Sequence, residues 1–153
     1  MKKHIIPFSQ TQHEISDEKF ELVGIRGKRI FELAQLELPI SPGFVVDSYL
    51  TSKIDEVNLH DLVGSYISSL EEQVGKTFGR GDNPLFLKMV FSPNLMLPNF
   101  PSVHNVGLNW DSVEALAEHT GEEFALGEFV YLLRSAGQKI LFKDNPELDK
   151  GQQ

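Results

Sequence analysis

Hydrophobic positions along this chain fall into short blocks separated by polar or Pro/Gly-rich stretches. Residues 4–8 predict a first strand with Pro7 near its end, and the polar residues 9–19 predict a loop. Over residues 27–36, Ile30, Leu33, Ala34 and Leu36 fall on one helical face, and Pro39 and Pro42 end that helix. A Pro-Gly step then introduces a short buried strand at 44–46. The clearest helix follows, because Leu62, Tyr66, Leu70 and Val74 recur every four residues with Val63 and Ile67 beside them. Asn58 is its expected N-cap, with Asp61 in the first turn. Residues 75–84 hold three Gly and a Pro and predict a turn. Strands are expected at 85–90, with Lys88 inside, and at 103–108. The three prolines of 91–101 exclude regular structure between them. Asp111 and Glu114 form a capping-box pattern ahead of a helix that buries Val113, Leu116 and Ala117 and ends at Gly121. A last helix over 122–141 turns Phe124, Phe129, Leu132, Leu133, Ala136 and Ile140 inward, and 144–153 reads as a frayed tail. The order predicts an α+β fold, a small mixed sheet packed with several helices, in one domain over 1–143.

Composition narrows the function classes. A chain of 153 residues buries about 68–70% of its unfolded surface, enough to stand without staples. The absence of cysteine excludes disulfides, thiol catalysis and thiolate metal sites. With 22 acidic against 14 basic residues the net charge is -8, which argues against broad binding to nucleic acid or to an anionic membrane. No stretch approaches the roughly 20 apolar residues of a membrane span. The apolar run Ile5, Ile6, Pro7, Phe8 is too short for a signal peptide, so a cytoplasmic protein is expected.

Few residues carry a chemical signal. Residues 24–29, Gly-Ile-Arg-Gly-Lys-Arg, set two Gly and three cations ahead of a helix. Such a turn presents backbone N–H groups and positive charge to a phosphate, although it has neither Walker nor dinucleotide spacing. The bland alternative is a Gly turn with solvated cations. His4, His13, His60, His104 and His119 form no metal-ligand pattern and read as surface or strand residues. Glu71-Glu72 and Glu122-Glu123 are adjacent and so point to different helix faces. Trp110 reads as a packing anchor. Phe91 and Phe100 stand apart from the other Phe residues, because they flank the Pro-rich stretch.

Three segments, taken in order, resemble one family. Residues 21–46 are similar to the opening of the nucleotide-binding domain of pyruvate phosphate dikinase and phosphoenolpyruvate synthase. The matching pieces are Gly24, Ile25, Arg26, Gly27 and then Ser41, Pro42, Gly43, Phe44. Residues 84–109 resemble the strand, Pro-centred loop and strand that follow, with Pro98, Asn105, Gly107, Leu108 and Asn109 as landmarks. Residues 124–141 resemble the next helix, with Ser135, Ala136 and Gly137 at its turn. The resemblance implies the first lobe of an ATP-grasp-type domain. The family's second lobe, with the acidic metal ligands, would lie downstream of this chain.

The departures from the family shape the functional expectation. The family's phosphate-contacting Lys aligns with Arg26, which keeps charge but not shape. Its second turn Gly aligns with Ile25. Its transition-state Arg is replaced by Val90, followed by Phe91 and Ser92, and a second Arg becomes Asn94. The loop after Pro98 is one residue short. An Arg in that role is worth about 10³–10⁵ in rate, and Val supplies none of it. The resemblance therefore implies a catalytically degenerate lobe acting as a binding or regulatory module, with no catalytic or metal-ligating residue assigned and no cofactor required. Weak ATP binding would rest on Gly24, Arg26, Gly27, Lys28 and Lys88. One alternative is half of a split ATP-dependent phosphotransferase completed by a separate second lobe. Another is a free-standing ATP or anion binder using residues 24–29 alone. Either a protein partner or a second copy is expected to dock on residues 90–101 through Phe91, Leu95, Met96, Leu97 and Phe100, with the helix face around Arg134 as the rim.

Overall fold

A computed structural model describes residues 4–56, 58–94 and 102–137. The chain forms two compact units. The first comprises Met1–Val74 and Phe91–Asn99, and the second comprises Gly75–Val90 and Phe100–Gln153.

In the first unit, strand β1 (Ile5–Phe8) pairs antiparallel with β2 (Gly43–Val46), setting Ile5 opposite Val46 and Phe8 opposite Gly43. Helix α1 (Asp17–Phe20) is a single turn within the stretch expected to be loop, and α2 runs Gly24–Gln35. Helix α2 therefore begins three residues before the expected start at 27, so residues 24–29 form its opening turns rather than a turn ahead of it. Its end is enforced by Glu37, which adopts a left-handed φ of 58°, and by Pro39 beyond. Ile6, Val23 and Phe31 make the core, flanked by Phe8, Ile15, Phe20 and Val45. Phe8 meets Phe31 edge-on at 6.0 Å. Helix α3 (Ser48–Thr51), a 3-10 turn (Ile54–Glu56) and α4 (Leu59–Val74) complete the unit. As expected, Asn58 stands at the start of α4, where its side-chain oxygen Oδ1 accepts from the Asp61 amide at 3.4 Å.

In the second unit, β3 (Thr77–Phe78), inside the expected turn, pairs parallel with β4 (Pro84–Leu85) at the boundary of that turn and the expected strand. Strands β5 (Leu87–Val90) and β6 (Ser102–Val106) pair antiparallel with a shift in register between Leu87 and Met89. Helices α5 (Trp110–Thr120) and α6 (Glu122–Ala136) pack over a core of Leu108, Val113, Ala125 and Phe129. Among the described residues the strands thus form three two-stranded ladders rather than one sheet. The expected strand over 85–90 is broken at Phe86, which turns into the core instead of continuing a ladder.

Two local expectations change. The cap of α5 is Asn109 and not Asp111: the Asn109 side chain accepts from the amides of Asp111 and Ser112, and the Ser112 hydroxyl accepts from the Asn109 amide. The box is therefore Asn-x-x-Ser, starting two residues before the expected one. On α6 the buried arc contains Ala125, Phe129 and Ser135. Phe124 and Leu133 fall outside that arc and are 55% and 56% exposed; Ile140 lies outside the described residues.

Phe31 is fully buried, so Phe31→Ala should destabilise the first unit by about 3–5 kcal/mol. Denaturant unfolding followed by circular dichroism measures it, and a loss below about 1 kcal/mol would show that Phe31 does not hold this core.

Candidate functional site

The Gly-rich opening of α2 is the sequence feature closest to a ligand site, and its polar groups already have partners. Gly24 adopts φ +70°, and a Cβ there would lie 1.5 Å from the carbonyl oxygen of Ser92, so only Gly fits. The 92–93 segment lies directly on the helix start. The Ile25 amide donates to the Pro93 carbonyl at 3.2 Å. The Gly27 amide donates to the Ser92 hydroxyl at 3.0 Å, and that hydroxyl donates to the Val23 carbonyl at 3.0 Å. Ser92 therefore stands between the carbonyl and the amide that would close the first helical turn. Gly27 serves packing as well: a Cβ there would fall 2.7 Å from the Cβ of Val23.

The cations of this segment differ in their surroundings. Lys28 donates to Glu21 at 2.6 Å and sits 5.3 Å from the centre of the Phe20 ring. Arg26 is half-buried and Arg29 is exposed. Lys88 belongs to the second unit, where it is exposed on β5. A phosphate approaching the amides of Ile25 and Gly27 has to displace Pro93 and Ser92 first.

Of the residues expected to form a docking stretch, Phe91 is 51% exposed. Leu95, Met96, Leu97 and Phe100 lie outside the described residues. Trp110 packs edge-on against Phe129 at 4.8 Å, as an anchor would, yet remains 68% exposed.

The landmark residues at the end of β6 perform a structural task in the second unit. Gly107, at φ 105°, lies against the Phe78 ring, where a Cβ would come within 2.7 Å. The Asn109 side-chain amide donates to the Gly79 carbonyl at 2.7 Å while its oxygen caps α5. One side chain thus ties the 75–84 segment to the helix start.

Sequence reasoning missed a half-buried polar pair in the first unit. Asp47, 1% exposed, pairs with His4 Nδ1 at 2.8 Å through one oxygen and caps α3 at the Leu50 amide, at 2.9 Å, through the other. Tyr49 stacks on His4 at 4.4 Å. The local signal was present, since Asp47 precedes Ser48 as an N-cap should, but the His4 partner is 43 residues away. His104 fits expectation as a strand histidine: it lies on β6 with Nε2 3.3 Å from Ser102 Oγ. An open depression at the α5–α6 corner is lined by Thr120, Gly121, Glu122, Glu123 and Phe124. Its two carboxylates disfavour an anion. Among the described residues no three His, Asp or Glu side chains gather as metal ligands would.

Comparison with known proteins supplies the class. No family model matches the chain. The chain is 34% identical over 131 residues to the pyruvate, phosphate dikinase of Treponema pallidum, across 85% of its own length and 14% of that protein. It is 28% identical to the Rhizobium meliloti pyruvate, phosphate dikinase over 95% of its length, and 26% identical to the chloroplastic pyruvate, phosphate dikinase 1 of Zea mays over 92%. The chain is a distant homologue of the pyruvate, phosphate dikinases. It spans about one sixth of the length of these relatives.

Because Ser92 bonds two groups of the α2 start, Ser92→Ala should cost about 0.5–2 kcal/mol, the range for losing a helix cap. It should also speed amide hydrogen exchange at Gly27 more than at α2's centre. Unchanged exchange at Gly27 would remove Ser92 from the role of cap.

Proposed function

We propose that this chain is a dikinase-type nucleotide-binding lobe, ATP-grasp-like in fold, kept in the cytoplasm as a binding or regulatory module and performing no phosphotransfer on its own. The observation that carries this reading is the occupation of the α2 start by Ser92 and Pro93. In a phosphate-binding turn the opening amides are the ligand donors. Here the Ile25 and Gly27 amides are used within the chain. The apolar Val90 at the family's Arg position points the same way, because it withholds the cation that phosphoryl transfer needs. What nucleotide contact remains rests on the cations Arg26 and Lys28, and is weak and screened by salt. The 90–101 stretch, with Phe91 at its exposed start, takes a protein partner rather than a phosphate.

Homology to the pyruvate, phosphate dikinases also fits a second reading, one half of a split ATP-dependent phosphotransferase. Its metal-binding lobe would be a separate polypeptide, and Arg26 and Lys28 would supply positive charge to the shared site.

Purified chain with Mg·ATP and pyruvate or phosphate should show no turnover, and calorimetry should show ATP binding weaker than micromolar at physiological salt. Mg-dependent ATP consumption that disappears in Arg26→Ala would overturn the module reading. Turnover that appears only on adding a second-lobe polypeptide would establish the split enzyme instead.

A further inference from the structure

Helix α6 carries a second feature that the nucleotide-lobe reading does not use. Leu126, Val130 and Leu133 are 40%, 45% and 56% exposed and follow an i, i+4, i+7 spacing, so they line one stripe along the helix. Beside them runs a ridge of the same period: Glu123, Gly127, Val130 and Arg134, all exposed. A Cβ built at Gly127 meets nothing within 4 Å, so the helix surface there is open. Among the described residues neither Glu123 nor Arg134 has an ion-pair partner. The opposite flank of the helix is occupied differently, since Glu128 there accepts from Asn105.

The order of that ridge is self-complementary. A two-fold axis crossing α6 between Glu128 and Phe129 sets position 123 of one copy against 134 of the other, and 127 against 130. An antiparallel pair then places each Glu123 opposite an Arg134, and each Val130 over the bare backbone of Gly127. The acidic end of one helix faces the basic end of the other, which also opposes their dipoles favourably. We propose that α6 is the self-association surface of this protein and that its occupant is α6 of a second copy, packed antiparallel. The net charge of -8 repels two copies at long range. The apolar stripe therefore supplies the attraction, and the Glu123–Arg134 pairs fix the direction.

This surface is independent of the α2 start, so the test leaves the nucleotide reading untouched. Sedimentation equilibrium of the full chain, over about 1–200 μM, should show a monomer–dimer equilibrium that Val130→Glu weakens at least tenfold. These side chains lie on the surface, and circular dichroism checks that each variant keeps its helix content. Glu123→Arg and Arg134→Glu should each weaken the dimer, and the double exchange should restore it, because restoration requires the two positions to meet across the interface. Gly127→Leu, which fills the space under Val130, should weaken it as well. A monomer at every concentration overturns the proposal and leaves a different protein as the cover of the stripe. A dimer that survives Val130→Glu but is lost in Phe91→Ser overturns it in favour of the 90–101 stretch. Failure of the double exchange to restore a dimer that both single exchanges weaken overturns the antiparallel arrangement.

Discussion

A hydroxyl placed between a carbonyl and an amide organises the first unit. The start of an α-helix leaves its first amides without partners inside the helix, and burying them unpaired costs about 1–3 kcal/mol each. Here the closure comes from residues remote in sequence: the Pro93 carbonyl accepts from the Ile25 amide, which has no partner inside the helix, and the Ser92 hydroxyl bridges the Val23 carbonyl and the Gly27 amide. This arrangement requires two backbones to touch at Gly24. That contact explains why Gly24 cannot be another residue, why Val23 is buried beneath the turn, and why the 91–94 segment belongs to the first unit. The same residues that would make a phosphate cradle are therefore employed in holding the fold.

The two units solve the capping problem in the same chemical way with different reach. In the second unit Asn109 closes its own helix locally and spans to Gly79 with its amide. In the first unit Asp47 caps α3 with one oxygen and meets His4 with the other. Each is a polar side chain doing two jobs, one within its helix and one across the fold. Such double use makes polar residues informative about tertiary structure, because the two bonds of one side chain reinforce each other.

Elements with a strong local period were legible in the sequence. Helix α4 announced itself through Leu62, Tyr66, Leu70 and Val74, and the ends of α2 and α5 through Pro39 and Gly121. Strands β1, β2, β5 and β6 were legible as short apolar runs while β3 was hidden in an expected turn, and the pairing was not legible, because two- to five-residue strands carry too little pattern to specify a partner. On α6 the bulky Phe124 and Leu133, expected inward, face outward, because the small Ala125 and Ser135 occupy the arc against the core. At the candidate site, the glycines and cations of 24–29 were visible as a motif. What fills that motif was not, since nothing local to Ser92 distinguishes it from a loop serine, and its partners lie 65 and 69 residues earlier. Dikinase kinship was readable from ordered landmarks, and the comparisons bear it out at the level of distant homology.

The route of the backbone through the first unit also bears on how the protein is made. A ribosome releases the amide of Gly27 65 residues before the serine that satisfies it, an interval of about 3–13 s at ordinary synthesis rates. During that interval the Ser92 and Pro93 partners of the α2 start are missing, and β2, α3 and α4 emerge beside an unfinished helix start. The first unit cannot close vectorially, N-terminus first; it waits for the chain to pass through the strands of the second unit and return. A fragment cut after Val74 would carry this open helix start permanently, which makes the serine-bearing segment the natural limit for any independently expressed piece of the first unit.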